Sequence, residues 1–199
     1  DIQKVAEGMG TDPRIGRSFL NAGIGWGGAC FPKDVKAFAN ISQKLGYDFR
    51  LLDEIQRINQ IQQDTVVNKL RSSLEDLHAK RIGLLGLAFK PETDDMRNAP
   101  SIRIANLLDE EGAIVTGYDP ESMKNSERVM PFVNLVDDPW KVVENADAVV
   151  LVTEWKVFRD MDVKQIKARM QGNVIVDGRN IWDRAEMEGL GFVYHGIGR

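Results

Sequence analysis

Apolar positions recur along this chain in two rhythms. Leu51, Ile55, Ile58, Val66, Leu70, Leu74 and Leu77, with Gln62 in the same register, return every three or four residues. That spacing predicts one helix of about 25 residues, some 37 Å long. A helix of this length is either packed within one subunit or serves as a domain connector and dimer seam. Further on, the rhythm changes. Residues 82–88, 113–118, 148–153 and 173–177 are short, nearly continuous apolar runs of strand length, and 192–194 reads as a last, edge strand. Helical spacing returns between them at 100–111, 140–145 and 163–170. Continuous apolar strands alternating with helices predict a parallel sheet covered on both faces. The expectation is therefore an α/β chain. A helical segment over 1–78, with its long connecting helix, precedes a Rossmann-like, doubly wound parallel-sheet domain over 79–199.

The first part carries two more helical patterns. Ile2, Val5 and Met9 share a face over 1–9, and Gly10-Thr-Asp-Pro13 breaks that helix. Residues 14–20 form a short link. Val35, Phe38, Ala39, Ile41 and Leu45 mark another helix, which ends at Gly46. The chain opens inside an amphipathic pattern and without methionine, so the expectation is a piece of a longer protein.

Composition narrows the function. With 43% hydrophobic and 28% charged residues among 199, the chain is ordinary globular material. Its net charge of −4 gives no basic footprint for nucleic acid. One cysteine excludes an internal disulfide and fits a reducing compartment, so a cytoplasmic protein is expected. No apolar run approaches the ~20 residues that span a membrane, and none reads as a signal peptide. No metal ligand set is assigned.

The candidate chemistry is concentrated in residues 23–34, Gly-Ile-Gly-Trp-Gly-Gly-Ala-Cys-Phe-Pro-Lys-Asp. A glycine-rich loop runs into a helix with a proline near its first position, which places Cys30 about one residue before the helix start. The partial positive charge there, with Lys33 close by, favours a thiolate. The glycines let a ligand or another backbone come close. Each feature has a plainer explanation: a lone cysteine is commonly a small buried hydrophobe, and Asp34 could be a first-turn acid on the helix dipole. The concentration of all of them in twelve residues favours a reactive site. In the second part the expected strand ends carry cations: Lys90 and Arg97 after the first, Arg179 after the strand that ends at Asp177. Ligands of doubly wound sheets sit at those ends, so three cations there favour an anionic ligand. Gly83-x-x-Gly86 is not the dinucleotide fingerprint, and Asp119 lies too far on to serve as its acid.

The run 19–34, Phe-Leu-Asn-Ala-Gly-Ile-Gly-Trp-Gly-Gly-Ala-Cys-Phe-Pro-Lys-Asp, resembles the catalytic-cysteine segment of the UDP-glucose/GDP-mannose dehydrogenase family. Residues 86–97, Gly-Leu-Ala-Phe-Lys-Pro-Glu-Thr-Asp-Asp-Met-Arg, resemble that family's second signature, and Asp-Gly-Arg-Asn at 177–180 its third. The three stand in family order, and the likeness covers essentially the whole chain. It is strongest to the bacterial members that act on UDP-glucose. The resemblance implies oxidation of a nucleotide sugar at C6, from alcohol to acid, with two NAD reduced. It implies that Cys30 attacks the aldehyde stage and carries a thioester that water hydrolyses, and that Asp34 helps activate the water. It implies sugar-nucleotide contacts for Phe19, Leu20, Asn21, Ala22, Gly23, Gly27, Phe31, Phe89, Lys90 and Arg179, and NAD contacts for Lys33 and Arg97. Arg14 matches an arginine that reaches the neighbouring subunit's substrate. Ala29 stands where serine is common. The family's N-terminal NAD-binding domain, with an upstream lysine and acid, is not among these residues, so the chain alone is expected to be inactive. A homodimer through residues 48–78 is expected, because the apolar stripe would otherwise be exposed. The rivals are a dehydrogenase of GDP-mannose or of a UDP-N-acetylhexosamine, and a non-catalytic nucleotide-sugar-binding dimerisation module. A thiol redox protein is disfavoured by the lack of a second cysteine.

Overall fold

The computed structural model describes residues 1–199. Three helices lead: α1 (Ile2–Gly10), α2 (Cys30–Lys44) and α3 (Arg50–Leu74). Then follow β1 (Arg81–Leu85), α4 (Pro100–Glu110), β2 (Ile114–Tyr118), α5 (Met123–Val129), β3 (Asn134–Leu135) and α6 (Pro139–Val143). The chain continues through β4 (Ala148–Leu151), α7 (Lys156–Arg159), α8 (Val163–Arg169), β5 (Val174–Asp177), α9 (Arg184–Gly189) and β6 (Val193–His195).

The six strands form one parallel sheet in the order β3-β2-β1-β4-β5-β6. This is the doubly wound order, with its switch point between β1 and β4. Ile82 pairs with Val115 on one side and Ala148 on the other. Alternate strand residues point to opposite faces, and each face has its own core. Ile82, Leu84, Val150 and Val176 pack with Val66, Val67 and Leu70 of α3 and Ile104 and Leu108 of α4. Leu85, Val149, Leu151 and Ile175 pack with Val142, Val143, Phe158 and Ile166 from the helices of the opposite face.

The long helix matches its pattern in length, but its stripe does two things. Val66, Val67 and Leu70 are fully buried under the sheet, whereas Leu51 and Ile58 stay exposed. The first strand stops at Leu85, short of the apolar run that predicts it. Gly86 turns the chain with φ +87°, and a β-carbon there would lie 2.6 Å from Thr153 Cβ. Leu87 and Ala88 are buried all the same, in a segment without strand pairing. Helices α5, α7 and α9 and the two-residue β3 have no counterpart among the elements that the apolar pattern predicts.

The start of α2 corrects one expectation. Cys30 is the first residue of the helix, not the residue before it, and Ala29 stands at the cap with no side-chain bond. Pro32 occupies the third helical position. The first four N–H groups of a helix have no intrahelical acceptor, so a proline at that depth costs no bond and the helix starts ahead of it.

Candidate active site

The glycine loop is built by close approach. A β-carbon on Gly23 would stand 2.5 Å from Nη1 of Arg179. One on Gly27 would stand 2.4 Å from the carbonyl oxygen of Asn98 and 3.0 Å from Cβ of Phe89, and one on Gly28 would meet the Phe89 ring at 3.0 Å. The loop therefore lies on the carboxyl ends of β1 and β5, and only glycine permits that contact. Ile24, fully buried, pins it to the core. Asn59 of α3 accepts from the Trp26 N–H at 2.7 Å and donates to the Trp26 carbonyl at 3.0 Å. Asn98 donates to the Gly28 carbonyl at 3.0 Å, and the Gly28 N–H donates to the Arg97 carbonyl at 2.8 Å. Three segments far apart in sequence meet at this loop.

The rim beneath it is held by buried carboxylates. Asp119, at the end of β2, is fully buried. Its Oδ2 accepts from the N–H groups of Leu87 (2.7 Å) and Ala88 (3.0 Å) and from Nε1 of Trp155 (3.1 Å). Its Oδ1 accepts from the N–H groups of Glu121 (3.0 Å) and Ser122 (2.9 Å). The hydroxyls of Ser101 and Thr153 donate to the carbonyls of Leu87 and Ala88, each at 2.5 Å. Every backbone polar group of Leu87 and Ala88 is thus satisfied by a side chain, which fixes the chain immediately before Phe89 and Lys90. Lys90 lies with its ammonium 5.4 Å from the Phe89 ring centre. At β5, Asp177 plays the same part. It accepts from the N–H groups of Arg179 and Trp182, each at 3.0 Å, and from the Tyr194 hydroxyl at 2.9 Å. Burial, then the Asp177 charge, raises the pKa of that hydroxyl. Nε of Arg179 donates to Glu154 at 2.5 Å.

Cys30 is exposed, so it is not the buried structural cysteine that its type commonly is. Asp34 lies four residues on and shares its helix face. Asp34 is not in the first helical turn, and its carboxylate pairs with the Lys33 ammonium at 3.1 Å. Phe31 meets Trp26 edge-on, ring centres 4.9 Å apart. Arg97 donates to Asp95, which raises the arginine's pKa and lowers the acid's.

Leu20, Asn21, Ala22 and Arg179 line one cavity of about 190 Å³ with Arg17, Arg159 and Asn180. The run from Phe19 to Gly23 borders a second hollow of about 520 Å³ against α3. Arg14 does not join them. Its side chain is 87% exposed and bonded to Asp12. Phe19 is fully exposed with φ +64°. Sequence reading missed the anchoring part of Ile24, which lies inside the motif but acts by core packing, and missed Asn59, Asn98 and Asp119, which act on backbone groups that no motif encodes. It also missed Arg17 and Arg159. Arg17 stands in the link just before the loop, a signal that could have been read; Arg159 reaches the cavity from α7.

A doubly wound sheet with cations on its rim, against which a glycine loop is pressed, defines an α/β unit of the nucleotide-binding type joined to a helical segment. Residues 83–184 match the UDP-glucose/GDP-mannose dehydrogenase family, UDP binding domain, and residues 1–61 match the same family's central domain. The chain belongs to the UDP-glucose/GDP-mannose dehydrogenase family. It is 40% identical over 200 residues to the UDP-glucose 6-dehydrogenase TuaD of Bacillus subtilis (strain 168), covering 100% of this chain and 43% of that protein. It is similar to the solved structure of a UDP-glucose dehydrogenase from Pyrobaculum islandicum, with a TM-score of 0.85 and 34% identity over 97% of this chain and 42% of that one. It is also similar to the NDP-N-acetyl-D-galactosaminuronic acid dehydrogenase of Methanosarcina mazei Go1, with a TM-score of 0.87 and 30% identity over 99% of this chain and 44% of that one. The chain spans less than half the length of these relatives.

Proposed function

We propose that this chain carries the nucleophile and the nucleotide-sugar site of an NAD-dependent UDP-glucose 6-dehydrogenase. Residues 1–78 act as the helical dimerisation segment and 79–199 as the UDP-sugar unit. The observation that carries the reading is the seating of the Cys30 loop on the ligand rim. Gly23 abuts Arg179, and Gly27 and Gly28 abut Phe89, so a sugar nucleotide held at that rim would present its far end to the cysteine. Among the solved structures the chain is 34% identical to the UDP-glucose dehydrogenase, 30% to the N-acetylgalactosaminuronate enzyme and 26% to a GDP-mannose dehydrogenase, which favours UDP-glucose over the hexosamine and mannose alternatives.

In this reading Arg179, Lys90 and the walls formed by Phe19, Leu20, Asn21 and Ala22 hold the nucleotide diphosphate, and Phe89 backs the glycines. Arg14, exposed and paired with Asp12, would exchange that partner to reach toward a neighbouring subunit. The Cys30 thiolate adds to the C6 aldehyde carbonyl, and the resulting thiohemiacetal is oxidised to a thioester. Water adds to the thioester carbonyl with Asp34 accepting its proton, and the bond to sulfur breaks to release the carboxylate and regenerate the thiolate. Lys33 and Arg97 are exposed cations on the Cys30 side of the loop, a donor set suited to a dinucleotide pyrophosphate. NAD, when bound, supplies the acceptor for the two hydrides. Its main binding surface is assigned to a part of the family protein outside these residues. Exposed apolar residues on α2 and α3 support a homodimer.

Calorimetric titration of the chain with UDP-glucose, GDP-mannose, UDP-N-acetylglucosamine and NAD tests the reading. Saturable binding of UDP-glucose in preference to the others is expected, and preference for another sugar nucleotide would move the chain to that branch. The chain alone is expected not to reduce NAD with UDP-glucose. Measurable NADH production by these 199 residues would overturn the division of labour proposed here.

A further inference from the structure

A third cavity, of about 490 Å³, lies between α2, α3 and α4 and shares no residue with the two hollows at the glycine loop and Arg179. Its volume is within the range of small-molecule sites. Gln56, Asn59, Gln60 and Gln63 line it from α3, and Asn98 and Asn106 line it from the α4 side. The four on α3 follow the spacing of a single helix face. A carboxamide stripe of this kind is ordinarily a solvated surface, yet here it faces another helix. Gln63 is only 7% exposed, and its carboxamide makes no hydrogen bond within the protein while its polar atoms open into the cavity. Its donor and acceptor are therefore free for a ligand in the cavity.

The charges around the cavity nearly cancel. Arg103 is neutralised by Asp64 at 2.5 Å, which leaves Lys36 against Glu110. An ionic ligand therefore gains little here. Each carboxamide both donates and accepts, which matches hydroxyl groups that do the same. Trp26 adds an aromatic wall suited to the C–H face of a ring. We propose that this cavity binds an uncharged sugar ring, a pyranose, through its carboxamides. The site lies beyond the nucleotide-sugar reading and does not depend on it. It still bears on the reactive loop, because Asn59 and Asn98 are the side chains that hold Trp26 and Gly28 in place.

The test is to follow the side-chain amide resonances of the whole chain by NMR while adding glucose or N-acetylglucosamine, and separately UDP. The expected result is saturable sugar-induced shifts at Gln63 and Asn106 with a dissociation constant of ~1 mM or tighter. Gln63→Leu and, on the exposed face of α4, Asn106→Ala should each weaken sugar binding by about tenfold or more. Neither should alter the response of Asn21 to UDP. Shifts that rise linearly without saturating would mean that the cavity holds water only and would overturn the proposal. Saturable binding that moves only Asn21 and its neighbours, or that ignores both substitutions, would overturn it as well. Sugar binding at Gln63 without any UDP response would uphold this site while removing the nucleotide-sugar reading.

Discussion

Gly23 and Arg179 are separated by 156 residues of chain, yet a single β-carbon on Gly23 would stand 2.5 Å from the arginine's Nη1. Gly27 is as tightly confined, but by backbone: the carbonyl oxygen of Asn98 would lie 2.4 Å from its β-carbon. The two contacts predict different outcomes. The guanidinium is the far end of a flexible side chain and can swing away, so Gly23→Ala should leave stability within ~1 kcal/mol of the parent. It should also re-aim Arg179 and weaken nucleotide-sugar binding by about tenfold. The Asn98 carbonyl cannot move without its loop, so Gly27→Ala should cost about 1–3 kcal/mol of stability. Urea unfolding and calorimetry on both variants separate the two effects.

Asp119 accepts five hydrogen bonds without any solvent contact. Replacing it by asparagine turns an NH2 group toward donors and leaves at least two of them unsatisfied. Asp119→Asn should destabilise the chain by roughly 2–4 kcal/mol. Trp155→Phe removes one donor and leaves the carboxylate otherwise bonded, so it should lose less. A denaturation midpoint for Asp119→Asn equal to the parent's would refute the clamp.

His195, at the end of β6, bonds through Nε2 to the Ser73 hydroxyl of α3 at 2.7 Å. Burial, and then the positive charges of Lys69 and Arg184, hold its pKa below the ordinary 6.5. The sign follows from proton uptake. As pH falls through about 6.5, the unfolded chain protonates this histidine before the folded chain does, so unfolding gains. The contribution is complete above that value and is lost as pH drops through the depressed folded pKa. Melting temperature should fall between pH 7 and pH 5, and His195→Gln should flatten that part of the curve. Parallel curves for the two proteins would show that His195 does not contribute.

Leu51, Ile58 and Ile61 on α3, Phe38 and Ile41 on α2 and Leu45 just past its end are between 41% and 81% exposed. So much apolar surface on two adjacent helices fits a covered face. The chain should run as a dimer in light scattering at micromolar concentration, and Leu51→Asp with Ile58→Asp should shift it to monomer without loss of helicity. A monomeric parent would count against the seam.

The accessible cysteine gives a direct check on the site. Cys30 should be alkylated to one adduct per folded chain without denaturant, because its side chain opens to solvent at the helix start. Protection until unfolding would contradict that placement.

The sequence by itself determined the long helix, the parallel strands and the three motifs, because those features repeat with a local period or occupy contiguous residues. The stripe from Leu51 to Leu77 and the runs at 82–88 and 148–153 needed no partner to be recognised. Tertiary structure alone decided which half of that stripe is covered, where β1 ends, and that the glycine loop rests on Phe89 and Arg179. It also decided that Asn59, Asp119 and Asp177 are the residues that hold this arrangement. Asn59 and Asp119 do so through hydrogen bonds to backbone groups distant in sequence, and Asp177 through bonds to its own following turn and to the Tyr194 hydroxyl; such bonds leave no periodic or compositional trace. A motif records which side chains face the ligand; only the packed chain shows what holds them there.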